Sequence, residues 1–183
     1  DFVDKTGEFT IMISLVQSNK PILGVVYWPT EDKLYVAQKN QGAYELFSEH
    51  WKKLSVSNTS NLKNCRAVLS RHHLSELDEK LINKLNLSEF NQRGSSLKVI
   101  DVCCGKAEIY LTTTTKIKQW DTSASYCLIT ESGGKMTDLN GQDLEFNTKM
   151  INHENGILVT NGLVHSKIVK EYLNKKIKIN INI

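Results

Sequence analysis

Four stretches of this 183-residue chain carry side chains suited to phosphate and divalent-cation chemistry. In WDTSASYCLITESGG, Asp121 stands just before an apolar run with helical spacing. A carboxylate at a helix start caps free N–H groups and gains from the helix dipole, typically ~1 kcal/mol, so Asp121 reads as an N-cap. The same position suits a hard oxygen ligand for magnesium, beside a helix N-terminus that favours anions. Trp120 reads as a packing residue that fixes the direction of that helix.

The stretch RGSSLK (residues 93–98) puts a glycine, two hydroxyls and a lysine at the start of a further predicted helix. Exposed N–H groups, serine hydroxyls and an ammonium there make an oxyanion cradle, although serine at a helix start is also a common N-cap. SRHH (residues 70–73) closes a predicted buried strand, at whose end side chains emerge into a crevice. Successive strand residues point to opposite faces, so His72 and His73 are not expected to hold one metal together. Contact of one of them with phosphate or base stands against ordinary loop polarity. Finally, DFVDKTGEFT opens with Asp1, Asp4 and Thr6, which resemble the start of a carboxylate cluster for a divalent ion.

Short β-branched segments must position these groups. TIMISLV (residues 10–16) and ILGVVY (22–27) read as antiparallel neighbours, and KLYVAQ and GAYELF, split by Asn40, Gln41 and Gly42, extend the meander. From Cys65 the pattern changes. CRAVLS reads as a buried strand, followed by a helix capped at Ser75 with Leu77, Leu81, Ile82 and Leu85 on one face. A helix over 95–104 stops at Gly105, AEIYL is a strand, and a helix runs from Asp121 to Gly133 and Gly134. Asn140 and Gly141 mark a hairpin between KMTDL and QDLEF, and a last helix covers 163–173. The tail NKKIKININI alternates like an edge strand, but its low complexity favours fraying. The expected fold is one compact α/β unit, an α+β layered sandwich. Residues 1–64 carry an antiparallel-sheet half, 65–174 a second α/β half with Asp121, and 175–183 the tail.

Composition bounds the partners. An apolar content of 40% supports a buried core, and a net charge of +3 permits an anionic small molecule but falls short of a nucleic-acid-binding excess. No apolar run approaches the roughly 20 residues that cross a bilayer, so a soluble, cytoplasmic protein is expected. Cys65, Cys103, Cys104 and Cys127 form no C-x-x-C and are expected as buried thiols.

As an ordered set, GEFTIMISLVQSNKPILGVVYWP, SRHH, GSSLK and WDTSA followed by GGKMTDLNG resembles the lithium-sensitive phosphatases of the inositol monophosphatase superfamily. Within it the 3'(2'),5'-bisphosphate nucleotidases of CysQ type are most similar, with G-E-F-T-V-N-I-A-L, S-R-S-H, G-S-S-L-K and W-D-T-A-A. The resemblance implies an αβαβα fold and magnesium-dependent hydrolysis of adenosine 3',5'-bisphosphate by a metal-activated water. It assigns Asp121 to a metal, Gly94, Ser95, Ser96 and Lys98 to the nucleotide and its non-scissile phosphate, and His73 to the nucleotide side of the pocket. The family's first metal motif, D-P-L-D-G-T, precedes K-E-F and G-E-F-T, so Asp1 and Asp4 fall after it. The chain is therefore expected to be an N-terminally truncated piece that lacks most metal ligands and is inactive alone, with a sheet face left open. One departure bears on substrate: many members have an arginine where Thr112 stands, a change that Lys116 or Lys118 would have to offset. The alternatives are an inositol or other sugar monophosphatase of the same superfamily, or a noncatalytic module that binds nucleotide or a partner.

Overall fold

The computed structural model of the protein describes residues 5–87 and 89–181, so Asp1 and Asp4 lie outside the described residues. Alternating apolar residues build a first sheet of β1 (Ile11–Gln17), β2 (Lys20–Trp28), β3 (Lys33–Gln38), β4 (Gly42–Phe47) and β5 (His50–Lys53), an antiparallel meander in chain order. Two of its turns place adjacent residues at positive φ, Ser18 with Asn19 and Ser48 with Glu49, which matches the twist that two-residue hairpins need.

The second sheet contains β6 (Arg66–Ser70), β7 (Glu89–Arg93), β8 (Ile109–Thr112), β9 (Lys135–Thr137) and β10 (Ile157–Thr160), in the order β7-β6-β8-β10-β9. β6 runs parallel to β7 and β8, and the crossovers are α1 (Glu76–Leu85) and α2 (Leu97–Cys103). The expected Ser75 cap is a full capping box with Asp78. α3 (Ser123–Glu131) and α4 (His165–Ile181) complete the fold.

Strand alternation sorts the second sheet into two cores. Val68, Tyr110, Ile157 and Val159 share a cluster with Val26, Tyr35 and Ala37 of the first sheet and with Val99, Ala124 and Leu128 of α2 and α3. Ala67, Leu69, Ile109, Leu111 and Leu158 pack instead with Leu81, Ile82 and Leu85 of α1 and Ile168 of α4. The layers run sheet, helices, sheet, helices, the expected α/β sandwich. Among the described residues no helix covers the outer face of the first sheet. Ile11, Ile13 and Leu15 on that face are 54%, 63% and 54% exposed, opposite Tyr27, Val25 and Leu23, so the anticipated open apolar face is present. No helix among the described residues is long and apolar enough to cross a membrane.

The seam between β2 and α3 is close enough to require glycine. A Cβ on Gly24 would stand 2.3 Å from the Ala124 carbonyl oxygen and 3.0 Å from the Cys127 Cβ. Gly24→Ala is expected to destabilise the protein by about 2 kcal/mol, roughly 6 °C in Tm, by pushing α3 off the sheet. An unchanged melting curve would refute this contact.

Several expectations need correction. Asp121 does not cap α3: it ends a 3-10 turn (Gln119–Asp121) and its carboxylate turns back to cap that turn, while Thr122 is the N-cap of α3. Trp120 is 56% exposed, with the Lys118 ammonium 5.0 Å from its ring, rather than packed. α2 starts at Leu97, two residues later than expected. QDLEF forms no strand. It makes one bridge, between Thr137 and Asp143, and then leaves to pair Phe146 with Asn19, whose backbone and side chain both bond it. In place of the edge strand considered for the tail, α4 runs to Ile181. Cys65, Cys103 and Cys127 are buried free thiols as expected, and Cys104 is half-buried.

Candidate active site

Three parallel strands end at one edge of the second sheet, and the chain leaving each end lines a cleft of about 470 Å3. β6 delivers Ser70, Arg71, His72 and His73, β7 delivers Arg93, Gly94, Ser95 and Ser96, and β8 ends in Thr112. Lys98 projects from α2, Glu8 comes from the segment before β1, and Lys116 and Asp121 come from the connection between β8 and α3. Carboxyl ends of parallel strands are where open α/β sheets bind ligands. All six site residues named from the sequence, His73, Gly94, Ser95, Ser96, Lys98 and Asp121, line this cleft.

Its electrostatics favour an anion. Among the described residues that line it, four cations, Arg71, Arg93, Lys98 and Lys116, outnumber two carboxylates, Glu8 and Asp121, although Arg93 is also paired with Asp101 behind the lining. Lys98 is 8% exposed, donates to the Ser95 carbonyl oxygen at 2.5 Å and lies 5.5 Å from the Tyr110 ring centre. Burial pushes its ammonium down to about 8, with Glu8 opposing the shift. Of the two lysines placed to offset Thr112 in the sequence, Lys116 lines the cleft, while the Lys118 ammonium sits over Trp120.

Glu8 was not anticipated, yet it organises one wall. Its Oε2 accepts from Arg71 Nη2 at 2.9 Å and from the Gly94 N–H at 2.6 Å, and its Oε1 accepts from Arg93 Nη1 at 2.9 Å. Arg93 Nε also donates to Asp101 at 2.9 Å. The Gly94 N–H is therefore engaged within the protein, so the cradle offers hydroxyls and the Lys98 ammonium rather than that amide. α2 has seven residues, and the amides of Val99 and Ile100 both donate to the Ser96 carbonyl. His72 and His73 follow the end of β6, so strand alternation no longer separates them and both reach the cleft.

Burial alone would raise the Glu8 carboxyl, but Arg93, the Gly94 amide and Arg71 together hold it below its ordinary 4.5. The stability this contributes is complete above about 4.5 and is lost as pH falls through the lower folded value. Glu8→Gln is expected to lose about 2 kcal/mol at neutral pH, discounted for the partly exposed arginines, with the gap from wild type shrinking below pH 4.5. Urea unfolding at pH 7 and pH 4 reads this directly; an equal gap at both values would rule out the carboxylate as its source.

Asp121 Oδ2 accepts the Lys118 N–H at 2.9 Å, and its other oxygen makes no hydrogen bond among the described residues. A magnesium ion takes roughly six oxygen ligands, usually one or two of them carboxylates. Among the described residues no three His, Cys, Asp or Glu side chains converge as a metal cluster, and both Glu8 oxygens are occupied by cations and an amide. The described residues thus supply one available carboxylate, Asp121, and do not by themselves fit a divalent-metal centre.

The model of the inositol monophosphatase family matches residues 1–181. The chain belongs to that family. The resemblance read from GEFT, SRHH, GSSLK and WDTSA is thereby upheld. Among relatives of this family member, the 3'(2'),5'-bisphosphate nucleotidase CysQ of Aggregatibacter actinomycetemcomitans is 32% identical over 149 residues, 81% of this chain and 55% of the relative. The chain spans about half the length of the curated relatives it matches, 54% to 57% of those from Buchnera aphidicola, Salmonella typhimurium and Escherichia coli. A crystal structure of CysQ from Bacteroides thetaiotaomicron has a TM-score of 0.73 at 27% identity, covering 87% of this chain and 65% of that one. SaIMPase-II with inositol monophosphate bound reaches a TM-score of 0.81 at 26% identity, covering 99% of this chain and 68% of that one, and it has also been crystallised with 2'AMP.

Proposed function

We propose that this chain is the substrate-holding part of a 3'(2'),5'-bisphosphate nucleotidase: it holds adenosine 3',5'-bisphosphate, whose phosphate monoester the whole protein hydrolyses with metal ligands beyond the described residues. The observation that carries this reading is the convergence of GSSLK, SRHH and Asp121, far apart in sequence, on one cationic cleft at the strand ends. The nucleotidase names of relatives at about 30% identity support the choice of substrate. In this reading Lys98 and the hydroxyls of Ser95 and Ser96 hold the phosphate that is not cleaved, His73 contacts the nucleotide, and Arg71 and Arg93 add positive potential. Hydrolysis joins a water oxygen to phosphorus and breaks the bond to the ester oxygen, which leaves with a proton.

Magnesium belongs to the same proposal. Asp121 is the carboxylate of this chain that would ligate it, as one of a larger set. A bound Mg2+ supplies activation of water and neutralisation of charge on the phosphoryl oxygens. The partner is a small phosphate ester, not a nucleic acid, and a cytoplasmic location goes with such a substrate.

A second reading, an inositol or other sugar monophosphatase, is favoured by Thr112 in place of a guanidinium and by SaIMPase-II binding both inositol monophosphate and 2'AMP. The third, a noncatalytic nucleotide-binding module, is favoured by the single available carboxylate. Phosphate release by the full-length protein should be followed in parallel on adenosine 3',5'-bisphosphate and inositol 1-phosphate with Mg2+, alongside calorimetric titration of each into this chain. Faster release from the nucleotide is expected. Faster release from inositol phosphate selects the second reading, and nucleotide binding without release selects the third.

A further inference from the structure

Thr10, at the threshold of β1, is not among the residues that line the cleft, yet its Oγ1 lies 2.7 Å from Ser95 Oγ and 2.8 Å from Ser96 Oγ, which do line it. Each of the three hydroxyls has one proton, and the two contacts use two of them. One proton is always left over. If both serines donate to Thr10, the leftover proton belongs to Thr10, away from the lining. If Thr10 donates to one serine and accepts from the other, the leftover proton belongs to a serine at the cleft surface.

Ser95 adds a second observation. Its φ of 50° is left-handed, where glycine would be less strained, and neighbouring contacts hold it there: Glu8 grips the Gly94 N–H and Lys98 grips the Ser95 carbonyl. A side chain kept at a strained position points to use of its hydroxyl.

We propose that Thr10 is a positioning residue of the phosphate subsite, resting on the phosphate-ester reading of the cleft. By donating to one serine, Thr10 releases that serine's proton to an anionic oxygen seated beside Lys98. An anion in the cleft selects this polarity of the hydroxyl chain, since the opposite one presents it with no proton.

The test titrates adenosine 3',5'-bisphosphate by calorimetry into wild type, Thr10→Val, Thr10→Ser, the Ser95→Ala/Ser96→Ala double variant and that double variant carrying Thr10→Val. Thr10→Val should weaken binding about tenfold, as for a lost hydrogen bond to a charged group, while Thr10→Ser stays within about twofold of wild type. In the double-alanine background, Thr10→Val should have no further effect, which a purely structural role would not produce. Melting curves accompany each variant, and Thr10→Ala replaces Thr10→Val if the latter unfolds. Wild-type affinity in Thr10→Val, or an equal loss in both backgrounds, overturns the proposal and leaves the phosphate-ester reading standing. Failure of the wild type to bind any phosphate ester overturns both.

Discussion

In the full-length protein with its remaining metal ligands, replacing Asp121 by asparagine is expected to slow phosphate release from adenosine 3',5'-bisphosphate by about a hundredfold or more, since on the proposed reading it removes a metal-ligating charge worth several kcal/mol of transition-state stabilisation. The substitution is unusually clean. Asp121 is exposed, and its only hydrogen bond among the described residues accepts the Lys118 N–H, which an asparagine carbonyl accepts equally well. The 3-10 turn and α3 behind it should survive, so the melting temperature should barely move. A readout independent of turnover is the effect of Mg2+ on nucleotide affinity, which should be marked in wild type and blunted in the variant. Undiminished turnover in Asp121→Asn would remove the centre of the functional reading.

Lys98→Met should weaken nucleotide binding by thirty- to a hundredfold, about 2–3 kcal/mol, because it removes a buried ammonium from an anion site. Methionine keeps an unbranched apolar stem against Tyr110, so packing is largely retained. The titration behaviour gives a second signature. With the ammonium pushed down to about 8, only the protonated form attracts the anion, so wild-type affinity should fall as pH rises past 8, by up to about tenfold per unit. Binding near pH 8 should therefore take up a proton, measurable as a dependence of the binding enthalpy on the buffer's ionisation enthalpy. The variant should show neither effect. A flat wild-type profile between pH 7 and pH 9 would disconnect Lys98 from the anion.

The meander of the first sheet and the helix after Ser75 were legible because each depended on nearby sequence, alternation or a cap, and the six named residues stood in compact motifs whose meeting in one cleft is a product of the fold. The failures share a different cause. β7, EFNQR, is mostly polar without apolar alternation, and it becomes a strand because parallel pairing with β6 supplies its backbone partners. β10, ILVT, is a short run buried on both faces and so has no period to read. Glu8 meets Arg71, Arg93 and Gly94 across 63, 85 and 86 positions of chain, so no local pattern announces it. Thr10 belongs to the GEFT motif, but its hydrogen bonds to Ser95 and Ser96 exist only once the sheets are stacked. The fate of Asp121 turned on one competition that spacing does not resolve, between capping α3 and capping the turn before it.

Among the described residues β1 lies at the margin of its sheet and is packed from one side only, with Ile11, Ile13 and Leu15 exposed. The segment that leads into it carries Glu8 and Thr10. The residues that shape the anion cradle therefore hang on an edge strand of that sheet, whose amide protons should trade with solvent sooner than those of β2. On warming, the grip on phosphate should loosen several degrees before the two cores come apart, so that loss of affinity reports local peeling of this border and not collapse of the molecule.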